Sequence, residues 1–269
     1  MANKNFKKLE DTKHLGRADV HIHSNHSDGR PTIAEILDYV ETKTDLDVIA
    51  ITDHNTIDGA LEAIELAKKQ KYRFDIIIGE EVSSIEGHIL GLFLKEVVKK
   101  GMSPRHTLEE IKRQGGLAII PHPFENMRMK LPNQLTMDGV GLITLLRERK
   151  YYKGIEVVNA TPTLGAENLR ASFINNTILG KSETGSSDAH IVEAIGHGYT
   201  LFEGKSADDF RHAFFHHQTR AMHTKWGLRS LFKYLFFFIP IGLRMSWYTL
   251  WHGRTAPKPQ VVNFSEGKN

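Results

Sequence analysis

Apolar residues along this chain follow two alternating rhythms. Short β-branched runs predict strands, and stretches with apolar residues three and four apart predict helices. The run ADVHIHS at 18–24 predicts a first strand, and 32–43 a helix with Ile33, Ile36, Leu37 and Val40 on one face. DVIAIT at 47–52 predicts a second strand, followed by a helix over 57–69. Strands are expected at 74–82 and 88–94, with SIEG at 84–87 as the turn between them. A helix over 104–114 follows, capped by Ser103 and ended by Gly115 and Gly116. Further strands are predicted at 117–121, 154–159, 184–187 and 199–202, and a last helix at 207–217.

This alternation implies an α/β protein with parallel strands and outer helices, either an open doubly wound sheet or a barrel. No glycine-rich dinucleotide fingerprint follows the first strand, and there is no P-loop. Histidines and acids stand at the strand ends instead. In a closed β/α barrel these ends converge on one mouth, so residues far apart in sequence meet there. A barrel therefore explains the pattern better than an open sheet.

The polar residues at these ends are His21, His23 and Asp28, then Asp53 and His54, then Glu80 and Glu81. His88 opens the next strand, His122 lies between two prolines, and Asp188 and His190 close the series. His21 and His23 are two apart on a strand and share a face. A lone strand histidine is ordinarily a structural residue, but five strand ends carrying histidine with acid require a common cause. Burying so many imidazoles and carboxylates is costly without a cation. The chain has no cysteine, which excludes disulfides, thiolate zinc sites, iron–sulfur clusters and a cysteine nucleophile. Any metal must be held by imidazole and carboxylate.

The motifs HxHSxxSDG, TDHxT, GxExS, GHxxGL, PHP and SDAH occur in that order between His21 and His190, and the resemblance they carry runs from about 18 to 219. This series resembles the PHP (polymerase and histidinol phosphatase) metal-dependent phosphoesterases, nearest their small stand-alone branch. The resemblance implies a distorted (β/α)7 barrel. It also implies three metal positions, made by His21, His23, Glu81 and Asp188, by Asp28, His54 and His190, and by Glu81, His88 and His122, with Glu81 bridging. Glu80 points to the opposite face from Glu81, and Asp53 is expected to orient His54. His26 is expected in a solvated loop, and Ser24 and Ser187 in hydrogen bonds around the site.

Oxygen and imidazole donors suit two to three divalent ions of Mn, Fe or Zn. Such ions bind a dianionic phosphate and activate water, so hydrolysis of a small phosphomonoester, or of a nucleotide or oligonucleotide end, is the expected reaction. Arg128 and Lys130, in the segment after the PHP motif, are candidate phosphate contacts, and His197 a candidate substrate residue. The competing expectations are a metal-binding regulatory domain without catalysis, amide hydrolysis as in other histidine-rich barrels, and a phosphoesterase acting on a membrane-proximal lipid-linked phosphate. The motif order and the lack of a strand-end lysine for a carbamate weigh against the amide.

Charge divides the chain. Residues 225–269 carry seven Lys/Arg against Glu266 alone, a net +6, which leaves −3 of the total +3 for residues 1–224. A long nucleic acid is not an expected partner of such a body. The first residues have no apolar run, so a cytoplasmic protein is expected. The predicted divisions are an arm at 1–17, a phosphoesterase domain at 18–224 and a basic aromatic segment at 225–269. All three tryptophans, 226, 247 and 251, lie in the stretch 225–251. Its uncharged run of ten residues, 234–243, is too short to span a bilayer. On a helical wheel Arg229, Lys233 and Arg244 form one stripe with the tryptophans nearby. This pattern predicts a helix lying peripherally on an anionic membrane surface, the alternatives being a helical hairpin packed on the barrel or a dimer contact.

Overall fold

A computed structural model describes residues 15–127, 137–228, 230–236 and 239. Every strand expected from the sequence is present. In chain order the elements are β1 (Leu15–Ile22), α1 (Ile33–Lys43), β2 (Val48–Ile51), α2 (Asp58–Lys69), β3 (Asp75–Ser84), β4 (Gly87–Leu92) and α3 (Pro104–Arg113). They are followed by β5 (Leu117–Ile120), the short pair β6 (Asn126–Met127) and β7 (Met137–Asp138), α4 (Gly141–Glu148) and β8 (Gly154–Asn159). The series ends with α5 (Gly165–Ile174), β9 (Ser182–Ser186), β10 (Gly198–Glu203), α6 (Ala207–Phe215) and β11 (Arg220–His223). Helices α4 and α5 and strands β6, β7 and β11 have no counterpart in the sequence prediction. In α5 the apolar Leu169 and Phe173 face solvent, so its pattern does not mark a buried face.

Local chemistry sets the helix starts. Thr32 and Glu35 form a reciprocal capping box at α1. Ser103 caps α3 and Pro104 occupies its first turn, where the missing N–H costs nothing. Gly115, at φ +80°, then stops α3 as expected.

The main sheet runs β11-β10-β1-β2-β3-β4-β5-β8-β9. β1, β2 and β3 are parallel neighbours, as are β5, β8 and β9, but β4 is antiparallel to both β3 and β5. Beyond β9 the chain returns to β1, where Ala189 bridges Ile22 and the His23 N–H donates to the Ala189 carbonyl at 2.9 Å. Seven strands thus close into a distorted barrel, and β10 and β11 extend the sheet outside it.

The barrel interior is layered. One end is filled by Ala18, Val20, Val48, Ala50, Ile77, Leu90, Leu92, Leu117 and Ile119, plugged by Phe210 and Phe214 of α6. Continuing the same faces toward the other end, the alternation of strands brings in Glu81 after Ile77 and His88 before Leu90. On β1 the pairing register with β2 shifts between Asp19 and Ile22. Ala18 and Val20 therefore join the interior layer, while Ile22 packs beneath α1. That shift leaves His21 and His23 on the interior side.

The plug tolerates no added volume at β8. A Cβ on Gly154 would lie 2.1 Å from the Cζ of Phe214, a ring that is itself fully buried. Gly154→Ala is expected to cost roughly 1–3 kcal/mol by overpacking. Urea unfolding checks this, and an unchanged midpoint would contradict the tight contact.

Candidate metal centre

Nine residues implied by the resemblance converge at the polar end of the barrel. Glu81 sits at their hub. Its Oε2 lies 3.3 Å from each of His21 Nε2, His23 Nε2 and His54 Nδ1, and its Oε1 lies 3.0 Å from both His88 Nδ1 and His122 Nε2. Asp188 approaches His21 and His23 at 3.5 and 3.3 Å, and Asp28 approaches His23, His54 and His190 at 3.6, 3.6 and 3.3 Å. Two donors about 2.1 Å from one ion stand about 3.0–3.4 Å apart at octahedral or tetrahedral angles, so these spacings suit shared cations.

The donor atoms fall into overlapping groups: His23, Asp28, His54 and His190; His21, His122 and Asp188; His21, His23 and Glu81; and His54, Glu81 and His88. Compared with the sets implied by the family pattern, His23 also joins the second set, and His122 meets Asp188 and His21. Buried His21 Nε2 and both ring nitrogens of His23 lack a hydrogen-bond partner, as ligand atoms aimed at an ion would.

Electrostatics point the same way. Burial disfavours charge on His23 and His122, yet the facing carboxylates hold both up at about 10. Burial would likewise raise Glu81 and Asp188, but the surrounding imidazoles hold both well below the usual carboxylate range. His54 goes the other way, to about 4, chiefly through burial. The carboxylates thus demand positive charge, which protons or divalent ions can supply.

Backbone geometry aims several of these groups. His122 and Asp188 adopt φ values of +24° and +51°, a region that non-glycine residues seldom occupy and that clusters at functional sites. Asp19, pushed up to about 6 by burial, accepts N–H bonds from Ser187 at 3.0 Å and Gly196 at 2.9 Å, tying the Asp188 loop to β1.

The sequence reading missed four supporting residues. Glu156, fully buried on β8, accepts from His21 Nδ1 at 3.2 Å, from the His122 N–H at 2.8 Å and from Asn159 Nδ2 at 3.0 Å. Asn159 Nδ2 also donates to Asp188 Oδ2 at 3.0 Å. Glu125 lies 3.2 Å from His122 Nδ1, and burial raises its carboxyl to about 7. Asp19 is the fourth. A glutamate inside the apolar run GIEVVN was the available signal for Glu156.

Other expectations resolve individually. Glu80 points away from the centre and accepts the Val98 N–H at 2.8 Å. Asp53 does not orient His54; it accepts from the Ser24 N–H and from the Ser24 and Ser27 hydroxyls, fixing the loop that carries Asp28. His26 pairs with Glu62 at 2.6 Å. His197 belongs to none of the donor groups. Its Nδ1 lies 2.9 Å from the Thr224 hydroxyl and its ring stacks on Trp226 at 4.4 Å, because the turn at Gly196 aims it toward the C-terminal segment. Arg128 and Lys130 lie outside the described residues.

A barrel with a buried histidine and carboxylate centre open at one mouth defines a class, the metal-dependent hydrolases built on α/β barrels. Comparison with known proteins narrows it. The PHP domain model matches residues 19–185 and the PHP-associated model residues 167–219. The chain belongs to the PHP domain family. An uncharacterized protein of Methanocaldococcus jannaschii is 42% identical over 137 residues, 46% of this chain and 79% of the relative. A two-domain Bacteroides vulgatus protein, described as containing a predicted PHP-like metal-dependent phosphoesterase, superposes with a TM-score of 0.62 at 20% identity. The match covers 81% of this chain and 69% of that one. A lesion-specific endonuclease of Pyrococcus furiosus superposes at 0.52 with 13% identity, over 81% and 66% of the two chains.

Proposed function

We propose that this protein hydrolyses phosphate esters with two to three divalent ions of the Mn, Fe or Zn type, and that its substrate is a small phosphomonoester or a nucleotide or oligonucleotide end. The observation that carries the reading is the Glu81 carboxylate, whose two oxygens face separate sets of imidazoles. His21, His23, Asp28, His54, Glu81, His88, His122, Asp188 and His190 would hold the ions. Bound there, the ions would supply Lewis acidity toward a phosphoryl oxygen and activate water for in-line attack.

The chain's own residues set approach and orientation. His21, His23, Glu81 and His88 are sealed from solvent, whereas the side chains of Asp28, His54 and Asp188 keep 18%, 15% and 12% of their surface. Substrate therefore enters from the Asp28, His54 and Asp188 side. Donation from His21 Nδ1 to Glu156 leaves the Nε2 lone pair toward Glu81 and Asp188, and donation from His190 Nδ1 to the Asp188 carbonyl leaves its Nε2 toward Asp28. The net −3 of residues 1–224 supports a short substrate over a long polynucleotide.

The test is elemental analysis of the purified full chain with Mn²⁺-dependent turnover of p-nitrophenyl phosphate, bis(p-nitrophenyl) phosphate and a short oligonucleotide. Bound metal with turnover of at least one ester, lost in His54→Ala, is the expected result. A metal-loaded chain that turns over none of them would overturn the reading.

A further inference from the structure

The C-terminal segment meets the barrel at the rim of the mouth. Trp226 donates its indole N–H to the Ala160 carbonyl at 2.7 Å, one residue beyond Asn159, and packs against Tyr234 at 5.0 Å. Tyr234 is buried in the core beneath α1, its hydroxyl bonded to Thr161, and Lys233 pairs with Glu193. The described part of the expected basic stripe thus turns toward the barrel. The indole and the ammonium find polar partners on the protein, so the opposite face of the segment meets solvent.

That outer face is apolar. Leu228, Phe232, Leu235, Phe236 and Ile239 fall at i, i+4, i+7, i+8 and i+11, one helical stripe. Leu228 is 86% exposed, Phe232 71% and Phe236 68%. Phe232 and Phe236 also edge an open groove of about 860 Å³ against Tyr39 of α1 and Ile191. Arg30, whose N–H bonds the His190 carbonyl, lies at the same groove. No described residue covers the stripe, and no helix among the described residues is long and apolar enough to cross a membrane.

We propose that this face docks the protein on an anionic lipid bilayer, with the mouth of the metal centre beside the headgroup layer. Charge selects the occupant. The stripe lies in a segment of net +6, which complements anionic headgroups. A symmetric contact with a second copy would instead set that segment against itself, like charge on like. Large exposed apolar side chains in a segment that carries six further Lys/Arg besides the paired Lys233 match an interfacial helix.

Flotation of the full chain with vesicles of phosphatidylglycerol and phosphatidylcholine, against vesicles of phosphatidylcholine alone, tests this without reference to catalysis. The wild-type chain is expected to float with the anionic vesicles and to be released by salt. The pair Phe232→Ser and Phe236→Ser, both exposed and therefore neutral to folding, is expected to weaken partitioning at least about tenfold. Circular dichroism and metal content of the variant should match wild type. A wild-type chain left in the soluble fraction, or a variant that floats equally well, would overturn the proposal. So would a wild-type dimer that the variant abolishes with no vesicle binding, which would assign the face to a second copy.

Discussion

Replacing Glu81 by glutamine is expected to remove at least one equivalent of bound metal and to lower phosphoester turnover on the order of a thousandfold or more. The side chain keeps its shape, but the amide loses the charge and one acceptor that face five imidazoles within 3.0–3.3 Å. Oε1 serves His88 and His122 while Oε2 serves His21, His23 and His54, so whichever way the amide turns, one set loses its shared acceptor. Lewis-acid stabilisation is worth several kcal/mol, and each 1.36 kcal/mol is tenfold in rate. Elemental analysis and steady-state kinetics on the same preparation check both effects. Unchanged metal content would show that Glu81 is a structural acid and would remove the hub from the centre.

The second large effect is expected at Glu156, which hydrogen-bonds the proposed ligands His21 and His122 without belonging to a donor group itself. Its carboxylate accepts from His21 Nδ1, the His122 N–H and Asn159 Nδ2, three donors on one buried group. Glu156→Gln places an amide NH₂ where one of those donors points. The His21 ring and the strained His122 backbone then lose their fixed orientation. Loss of such an outer partner ordinarily costs about 10–100-fold in metal affinity or activity. Metal titration of the variant checks this, with thermal unfolding of the metal-free chain as the control. Unchanged affinity, or a loss confined to metal-free stability, would make Glu156 a fold residue only.

These two residues illustrate how differently the site was legible. Glu81 stands at a strand end inside a recognisable motif, and alternation along β3 separates it from Glu80, which turned outward to Val98. Glu156 sits inside an apolar strand with no motif around it, and its two histidine partners lie 34 and 135 residues away. Asp53 shows the intermediate case. Its adjacency to His54 suggested one partner, but its hydrogen bonds go to Ser24 and Ser27 across the β1–β2 pair. Sequence proximity gave the wrong neighbour because Asp53 and His54, both beyond the end of β2, turn to different partners.

The C-terminal segment shows the same division. Its apolar and basic composition was plain in the sequence, yet the wheel by itself left open which stripe meets the protein. Tyr234 and Trp226 decided that by finding burial and a carbonyl at the rim.

By itself, the sequence determined the strand–helix alternation, the absence of thiolate chemistry and the identities of the histidines and acids at strand ends. Those properties follow from local periodicity and composition, which act over a few residues. Only the tertiary structure decided that β4 runs against its neighbours, that Ala189 closes on Ile22 and that the register shift on β1 brings His21 and His23 inward. It also decided that Glu81 divides its oxygens between two sets of imidazoles. Sheet closure joins residues more than a hundred positions apart, and no short-range pattern encodes which of their faces will meet.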